Sequence, residues 1–160
     1  MIRQDKKAIA VAKTYNPKRI AWGKIKRAIL KIEADAFHQY DPQAHILESD
    51  FTNKKNVVLL LRTIAGRIIG YAYAERLKPG TAYLTSIAIH PRFQGKGLAK
   101  NLHSMLNRQL RKQGYTFLEG HVLHDGYLHS LQKMYADRIV SKRKVKNDNE
   151  MRHFIRIRLD

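Results

Sequence analysis

"HPRFQGKGLAKNL", residues 90–102, places two glycines and three cations (Arg92, Lys96 and Lys100) at the start of a helical pattern. Before it, "TAYLTSIAI" (81–89) is β-branched and aromatic and reads as a strand. After it, Leu98, Leu102, Leu106 and Leu110 recur every fourth position with Met105 beside them. That spacing predicts a helix, which Gly114 can end. A turn that leads from a strand into a helix N-terminus offers unpaired N–H groups and the positive end of the helix dipole, and so favours an anion. Gly95 and Gly97 have no Cβ, so a ligand can approach their backbone closely. Arg92 can make forked contacts to phosphate oxygens. The stretch therefore predicts a site for phosphate, and specifically for a pyrophosphate. Two familiar phosphate loops are excluded by spacing. The G-x-x-x-x-G-K-[ST] order is missing, and the third glycine of a G-x-G-x-x-G fingerprint is Lys100.

Working outward, three strands are predicted in succession, over 56–64, 68–77 and 81–89. Turns at "AGR" and "KPG" join them into an antiparallel meander. "YTFLEGHV" (115–122) is a further strand. Residues 81–122 thus read strand, turn, helix, strand, a parallel crossover unit. Towards the N-terminus, residues 8–15 read as a first strand. Asn16 as cap and Pro17 at the first helical position predict a helix carrying Ile25, Ile29, Ile32 and Ala36 on one stripe. Asp41 and Pro42 repeat the start signal for a shorter second helix. Towards the C-terminus, residues 126–138 read as a helix. "IVSKRKV" and "MRHFIRIRL" form a hairpin around "KNDNE". The expected whole is one domain over 1–160, with no internal repeat.

The 160 residues carry 31 Lys and Arg against 13 Asp and Glu, a net charge of +18. Ten of those cations fall within residues 1–31, beside the single acid Asp5. A second cluster runs through Arg138, Lys142, Arg143, Lys144 and Lys146. Such a field favours polyanionic partners, nucleic acid or ribonucleoprotein among them. No apolar run reaches the roughly 20 residues of a membrane span, and the first residues lack a secretory leader's apolar stretch. A soluble, cytoplasmic protein, monomer or homodimer, is expected. The absence of cysteine excludes disulfides, a thiol nucleophile and thiolate metal sites. His121, His124 and His129 have no acidic partners in the pattern of a metal motif, and no metal is expected.

Arg92-Phe93-Gln94-Gly95-Lys96-Gly97 resembles the R/Q-x-x-G-x-G/A motif of the GNAT N-acetyltransferase superfamily. "LTSIAIHPRFQGKGLAKNL" as a whole is similar to that family's strand, turn and helix, and the "TSIAI" portion is closest to its protein N-terminal, including ribosomal-protein, acetyltransferases. The resemblance implies an α+β, three-layer fold. Its mixed, mostly antiparallel sheet would have six to seven strands, a splayed parallel pair and about four flanking helices. It also implies acetyl-CoA as donor to a primary amine. The pyrophosphate would lie on the amides of Gln94, Gly95, Lys96, Gly97, Leu98 and Ala99, near Arg92. The pantetheine arm would run along Ile87, Ala88 and Ile89.

Acetyl transfer needs a neutral amine, a polarised thioester carbonyl and a proton for the leaving thiolate. By position in the family pattern, Tyr135 is the expected general acid, with Tyr127 in reserve. Glu119, an acid in an otherwise apolar strand, is the expected base, with Glu75 and His121 as alternatives. The chain departs from the family at "LHDGYLHS", which stands where R-x-S-N is usual and lengthens the spacing from Glu119 to Tyr135. Two other readings stay open: a nucleic-acid-binding module of the same fold without turnover, and a small-molecule amine acetyltransferase.

Overall fold

The computed structural model describes residues 10–37, 48–122, 125–147 and 150–160. Seven strands among these residues form one sheet, β1 Ala10–Thr14, β2 Val57–Thr63, β3 Ile68–Lys78, β4 Thr81–Ile89, β5 Phe117–Val122, β6 Ile139–Asn147 and β7 Glu150–Arg158. They lie in the order β1-β2-β3-β4-β5-β7-β6. Every neighbouring pair is antiparallel except β4 and β5, which are parallel. Among the described residues, four helices accompany the sheet, α1 Trp22–Phe37, α2 Glu48–Thr52, α3 Leu98–Lys112 and α4 Asp125–Tyr135. This is the α+β architecture expected from the sequence.

Alternation along the strands sorts the core. Leu59, Leu61, Ile69 and Leu118 turn to one face, where they meet the α3 stripe Leu98, Leu102, Leu106 and Leu110. Val58, Leu60, Tyr71 and Tyr73 turn to the other face and pack on Ile25, Ile29 and Ile32 of α1. Phe51 of α2 joins this second layer, its ring 5.0 Å from Trp22 and 5.8 Å from Tyr73. Under β5 and β7, Val122, Ile155 and Ile157 are covered by Leu128, Leu131 and Tyr135 of α4. Each such buried aliphatic side chain stabilises the fold by about 1.5–3 kcal/mol.

The first helix begins later than its start signal predicts. Asn16 closes a turn instead, its Oδ1 accepting from Lys18 N and its carbonyl from Arg19 N and Ile20 N. The Ile20 carbonyl, which a continuing helix would offer to Lys24, accepts the Tyr15 hydroxyl at 2.8 Å. Lys24 N bonds Ala21 O, and the helix runs from Trp22. The Asp41-Pro42 start signal and His124 lie outside the described residues. At the other end, the predicted helix over 126–138 is α4 followed by a 3-10 turn at Ala136–Arg138.

What positions the site is a local failure of pairing. β4 and β5 share only Thr81↔Phe117, Ala82↔Leu118 and Tyr83↔Glu119. Just beyond, β4 carries a bulge. Tyr73 of β3 pairs with Ser86, but Ala74 pairs with Leu84, which leaves Thr85 as the extra residue. A bulge bends its strand and increases its twist. β4 then follows β3 to Ile89↔Gly70, while β5 follows β7 to Val122↔His153. Each strand stays paired on its outer edge, and the inner edges part.

Candidate functional site

The gap between β4 and β5 opens into a cleft of about 1000 Å³. It runs from α1 on one face of the sheet to the groove between α3 and α4 on the other. Ile87, Ala88 and Ile89 form its β4 wall. Next comes the glycine turn. His90 Nδ1 accepts from Arg92 N at 3.2 Å and caps a 3-10 turn over Pro91–Phe93. The Gln94 side chain donates to Ile89 O at 2.9 Å and ties the turn back to the strand. Gly95 and Gly97 then both adopt φ of 75°, a left-handed conformation that side-chain-bearing residues rarely take. Gly97 precedes the first residue of α3 and supplies no side-chain cap, and the first turn holds no acid. Its amides are therefore available to an external anion.

A Cβ built on Gly95 or Gly97 would meet no protein atom within 4 Å. The space before both glycines is open, as a bound phosphate group requires. Gln94, Gly95, Gly97, Leu98 and Ala99 line the cleft, as does Lys100. Arg92 and Lys96 are exposed and stand outside its wall, so the turn gains their charge rather than their contact.

On the α1 side of the sheet, Glu119 projects from β5 into the cleft, only 8% exposed. Its Oε1 accepts a hydrogen bond from Arg156 Nη1 of β7 at 2.5 Å. The Arg156 guanidinium also lies 4.0 Å from the centroid of the Phe117 ring. Two residues along, His121 takes the same face, with its Nδ1 2.8 Å from the Tyr83 hydroxyl. Burial, with Arg152 and Arg143 nearby, holds the His121 imidazole below its ordinary value, so it is neutral at pH 7. Glu75 is not on the cleft wall.

The two tyrosines are placed differently. Tyr127 lines the cleft with Gly126, Ser130 and Met134, one face of α4. Tyr135, the expected general acid, stands behind that wall, 2% exposed between α3 and α4. Its hydroxyl accepts from Asn107 Nδ2 at 2.7 Å and lies 2.8 Å from His103 Nδ1. His103 Nε2 is 2.5 Å from the Tyr127 hydroxyl. Burial pushes both phenols up, Tyr135 to about 12, and pushes the His103 imidazole down to about 4.

Sequence reasoning missed several of these residues. Glu33 and Asp35 of α1 line the cleft on the α1 face of the sheet. Lys31 bridges Asp35 at 3.1 Å. Glu33 follows Ile29 by four positions, and an acid in register with an apolar stripe was the signal. His103 and Asn107 are likewise four apart and lie against the leucine stripe of α3, a buried polar pair that periodicity alone exposes. Among the described residues, no group of three or more His, Cys, Asp or Glu could hold a metal ion. No helix among them is long and apolar enough to cross a membrane.

A family model described as the acetyltransferase (GNAT) family matches residues 26–137. Among solved structures, the chain is similar to the yncA protein of Salmonella typhimurium with its cofactor acetyl-CoA, at 17% identity over 94% of each chain and a TM-score of 0.69. It is similar to the ribosomal-protein-S18-alanine N-acetyltransferase of Escherichia coli, at 16% identity over 94% of each chain and a TM-score of 0.68. A GNAT family acetyltransferase of Elizabethkingia anophelis with acetyl-CoA bound covers 95% of this chain and 99% of its own, at 14% identity and a TM-score of 0.58. No curated protein matches the chain.

Proposed function

Since the chain belongs to the GNAT acetyltransferase family, we propose that it is a cytoplasmic, single-domain N-acetyltransferase that moves an acetyl group from acetyl-CoA to a primary amine by direct attack. The observation that carries this reading is the glycine turn, with its two left-handed glycines, uncapped helix start and open space beside an unzipped parallel strand pair. The amides from Gln94 to Ala99 hold the pyrophosphate. The unpaired edge of β4 at Ile87 to Ile89 holds the pantetheine arm by backbone hydrogen bonds. When bound, acetyl-CoA supplies an acyl group already activated as a thioester.

The chain's own residues divide the proton work between the two faces of the sheet. On the acceptor side, Glu119 takes the proton the amine gives up, directly or through a water. Arg156 orients it by holding Oε1. Backbone N–H groups of the β4 edge polarise the thioester carbonyl. On the donor side, Tyr127 lines the cleft and supplies the proton for the departing thiolate, with Tyr135 placed behind it.

The acceptor amine is carried by a protein or another polyanion-associated partner such as a ribosomal particle or charged tRNA. The charge distribution supports this. Glu33, Asp35 and Glu119 gather on the cleft and favour an incoming amine, while Lys142, Arg143, Lys144 and Lys146 stand exposed on β6. A cationic outer surface speeds encounters with a polyanion.

Calorimetry with acetyl-CoA tests the donor. Transfer of labelled acetyl to ribosomal, tRNA and soluble-protein fractions of a source lysate then tests the acceptor. Label in the ribosomal or tRNA fraction is expected. Absence of acetyl-CoA binding leaves only the nucleic-acid-binding module, and label confined to small amines replaces the macromolecular acceptor.

A further inference from the structure

The two tyrosines of α4 are joined through one buried residue of α3. His103 is 2% exposed and meets Tyr127 through Nε2 and Tyr135 through Nδ1. A neutral imidazole donates at one nitrogen and accepts at the other, so the direction of the chain follows from its ends. At the inner end, Asn107 Nδ2 can only donate, and it donates to the Tyr135 oxygen. The Tyr135 hydroxyl proton, enclosed between α3 and α4, then has His103 Nδ1 as its acceptor. A buried hydroxyl proton left without an acceptor is costly. His103 consequently carries its own proton on Nε2 and donates it to the Tyr127 oxygen, so Tyr127 keeps its own proton for a partner other than His103.

We propose that His103 is a positioning residue for acetyl transfer, held by Tyr135 and Asn107 as the Nε2–H tautomer so that it donates to Tyr127 and fixes Tyr127 as the proton donor to the departing CoA thiolate. This rests on the acetyltransferase reading given above. In the step itself the Tyr127 O–H bond breaks and an S–H bond forms. The electron pair left on the Tyr127 oxygen is held by the His103 Nε2–H. The amine's proton goes to Glu119, and between turnovers Glu119 gives a proton to solvent and the Tyr127 oxygen takes one from it, which closes the balance. Burial favours the neutral imidazole that the arrangement requires. Asn107 and Tyr135 stand off the cleft and act by fixing one tautomer, and His103, which borders the cleft beside Tyr127, acts through the Tyr127 oxygen.

The tautomer is read without turnover, by long-range proton–nitrogen NMR of the uniformly labelled full chain, with the His103 signals assigned by their loss in His103→Gln. A pyridine-type Nδ1 and a pyrrole-type Nε2 that persist well below pH 6.5 are expected. The opposite tautomer, or an imidazole that titrates at the ordinary value, overturns the proposal. Kinetics supply the second arm, with acetyl-CoA and hydroxylamine as the amine probe. The chain has no cysteine, so free thiol reports released CoA alone. His103→Leu and Tyr127→Phe should each lower kcat about 100-fold, the scale of one proton-transfer group, and the double variant no further. Acetyl-CoA affinity and KM should be unchanged, and His103→Gln, which retains a donor near Nε2, should recover part of the loss. Full kcat in His103→Leu sinks the proposal, as does a loss confined to stability or KM. A native chain that binds no acetyl-CoA, or releases no thiol with the probe, sinks the transferase reading, while the NMR still decides the tautomer.

Discussion

The Tyr83 hydroxyl meets His121 Nδ1 at 2.8 Å across the point where β4 and β5 stop pairing. Tyr83 is the last β4 residue in the parallel ladder, and His121 lies two positions beyond its partner Glu119, on the same face. The contact is a side-chain staple at the head of the cleft. Tyr83→Phe should lower unfolding stability by about 1 kcal/mol, the net worth of one hydrogen bond. It should also speed amide exchange at Gly120 to Val122. Urea denaturation and hydrogen exchange read both effects, and unchanged exchange in β5 would show that the backbone ladder alone sets the opening.

The glycine turn has a separable prediction. Alanine at Gly95 or Gly97 meets no protein atom but must adopt φ of 75°. The strain costs about 1–2 kcal/mol. The new methyl also enters the space assigned to the pyrophosphate. Each variant should fold, melt a few degrees lower and bind acetyl-CoA at least about 10-fold more weakly by calorimetry. Undiminished affinity in both would move the pyrophosphate off this turn.

Arg156 and Glu119 test a buried ion pair and an assigned base together. Arg156→Ala leaves a carboxylate that is 8% exposed without its cation. The cost should be about 1–3 kcal/mol, limited because water reaches the vacated Arg156 site. Adding Glu119→Gln should recover part of it, since the orphaned charge is then gone. Glu119→Gln alone should cut kcat/KM for an amine about 100-fold, and a near-native value would assign the base elsewhere.

Acid should destabilise the fold through its histidines. His103 is held at about 4 by burial, against an ordinary value near 6.5. The unfolded chain therefore binds more protons than the native one between those values, and stability rises with pH across that window. The contribution is complete above about pH 6.5 and is lost as pH falls towards 4. For His103 this amounts to about 2 kcal/mol between pH 7 and pH 4.5. His90 and His121 are shifted in the same direction, each chiefly by burial. Urea unfolding at the two pH values should show the drop, and His103→Gln should flatten it.

The basic exterior should read out in salt. Affinity for a labelled single-stranded oligonucleotide should fall steeply with ionic strength, as counterion release requires. Replacing Lys142, Lys144 and Lys146 by alanine should weaken binding and shallow the slope by nearly one for each phosphate no longer neutralised. A salt-independent affinity would remove the polyanion from the proposed acceptor.

Residues 84–102 determined much of this protein by local chemistry. A leucine every fourth residue makes α3, and two glycines before an uncapped helix leave its first amides open, wherever the rest of the chain lies. The β-rich runs over 56–89 and the glycine-bearing turns between them were enough for the meander. Local signals failed where a distant group took the bond. The Tyr15 hydroxyl on Ile20 O ended the Asn16 turn, and no pattern at Asn16 announces that. The cleft itself depends on the Thr85 bulge and on β5 leaving β4 to follow β7 after Glu119↔Arg156, both matters of register between segments far apart in sequence. Whether Tyr127 or Tyr135 reaches the cleft was equally beyond the sequence. Both lie on α4, and only the packing of α4 on α3 places His103 between them, one phenol on the wall and the other behind it. Periodicity assigns a residue to a face of its own element, and what that face meets is decided by the elements packed against it.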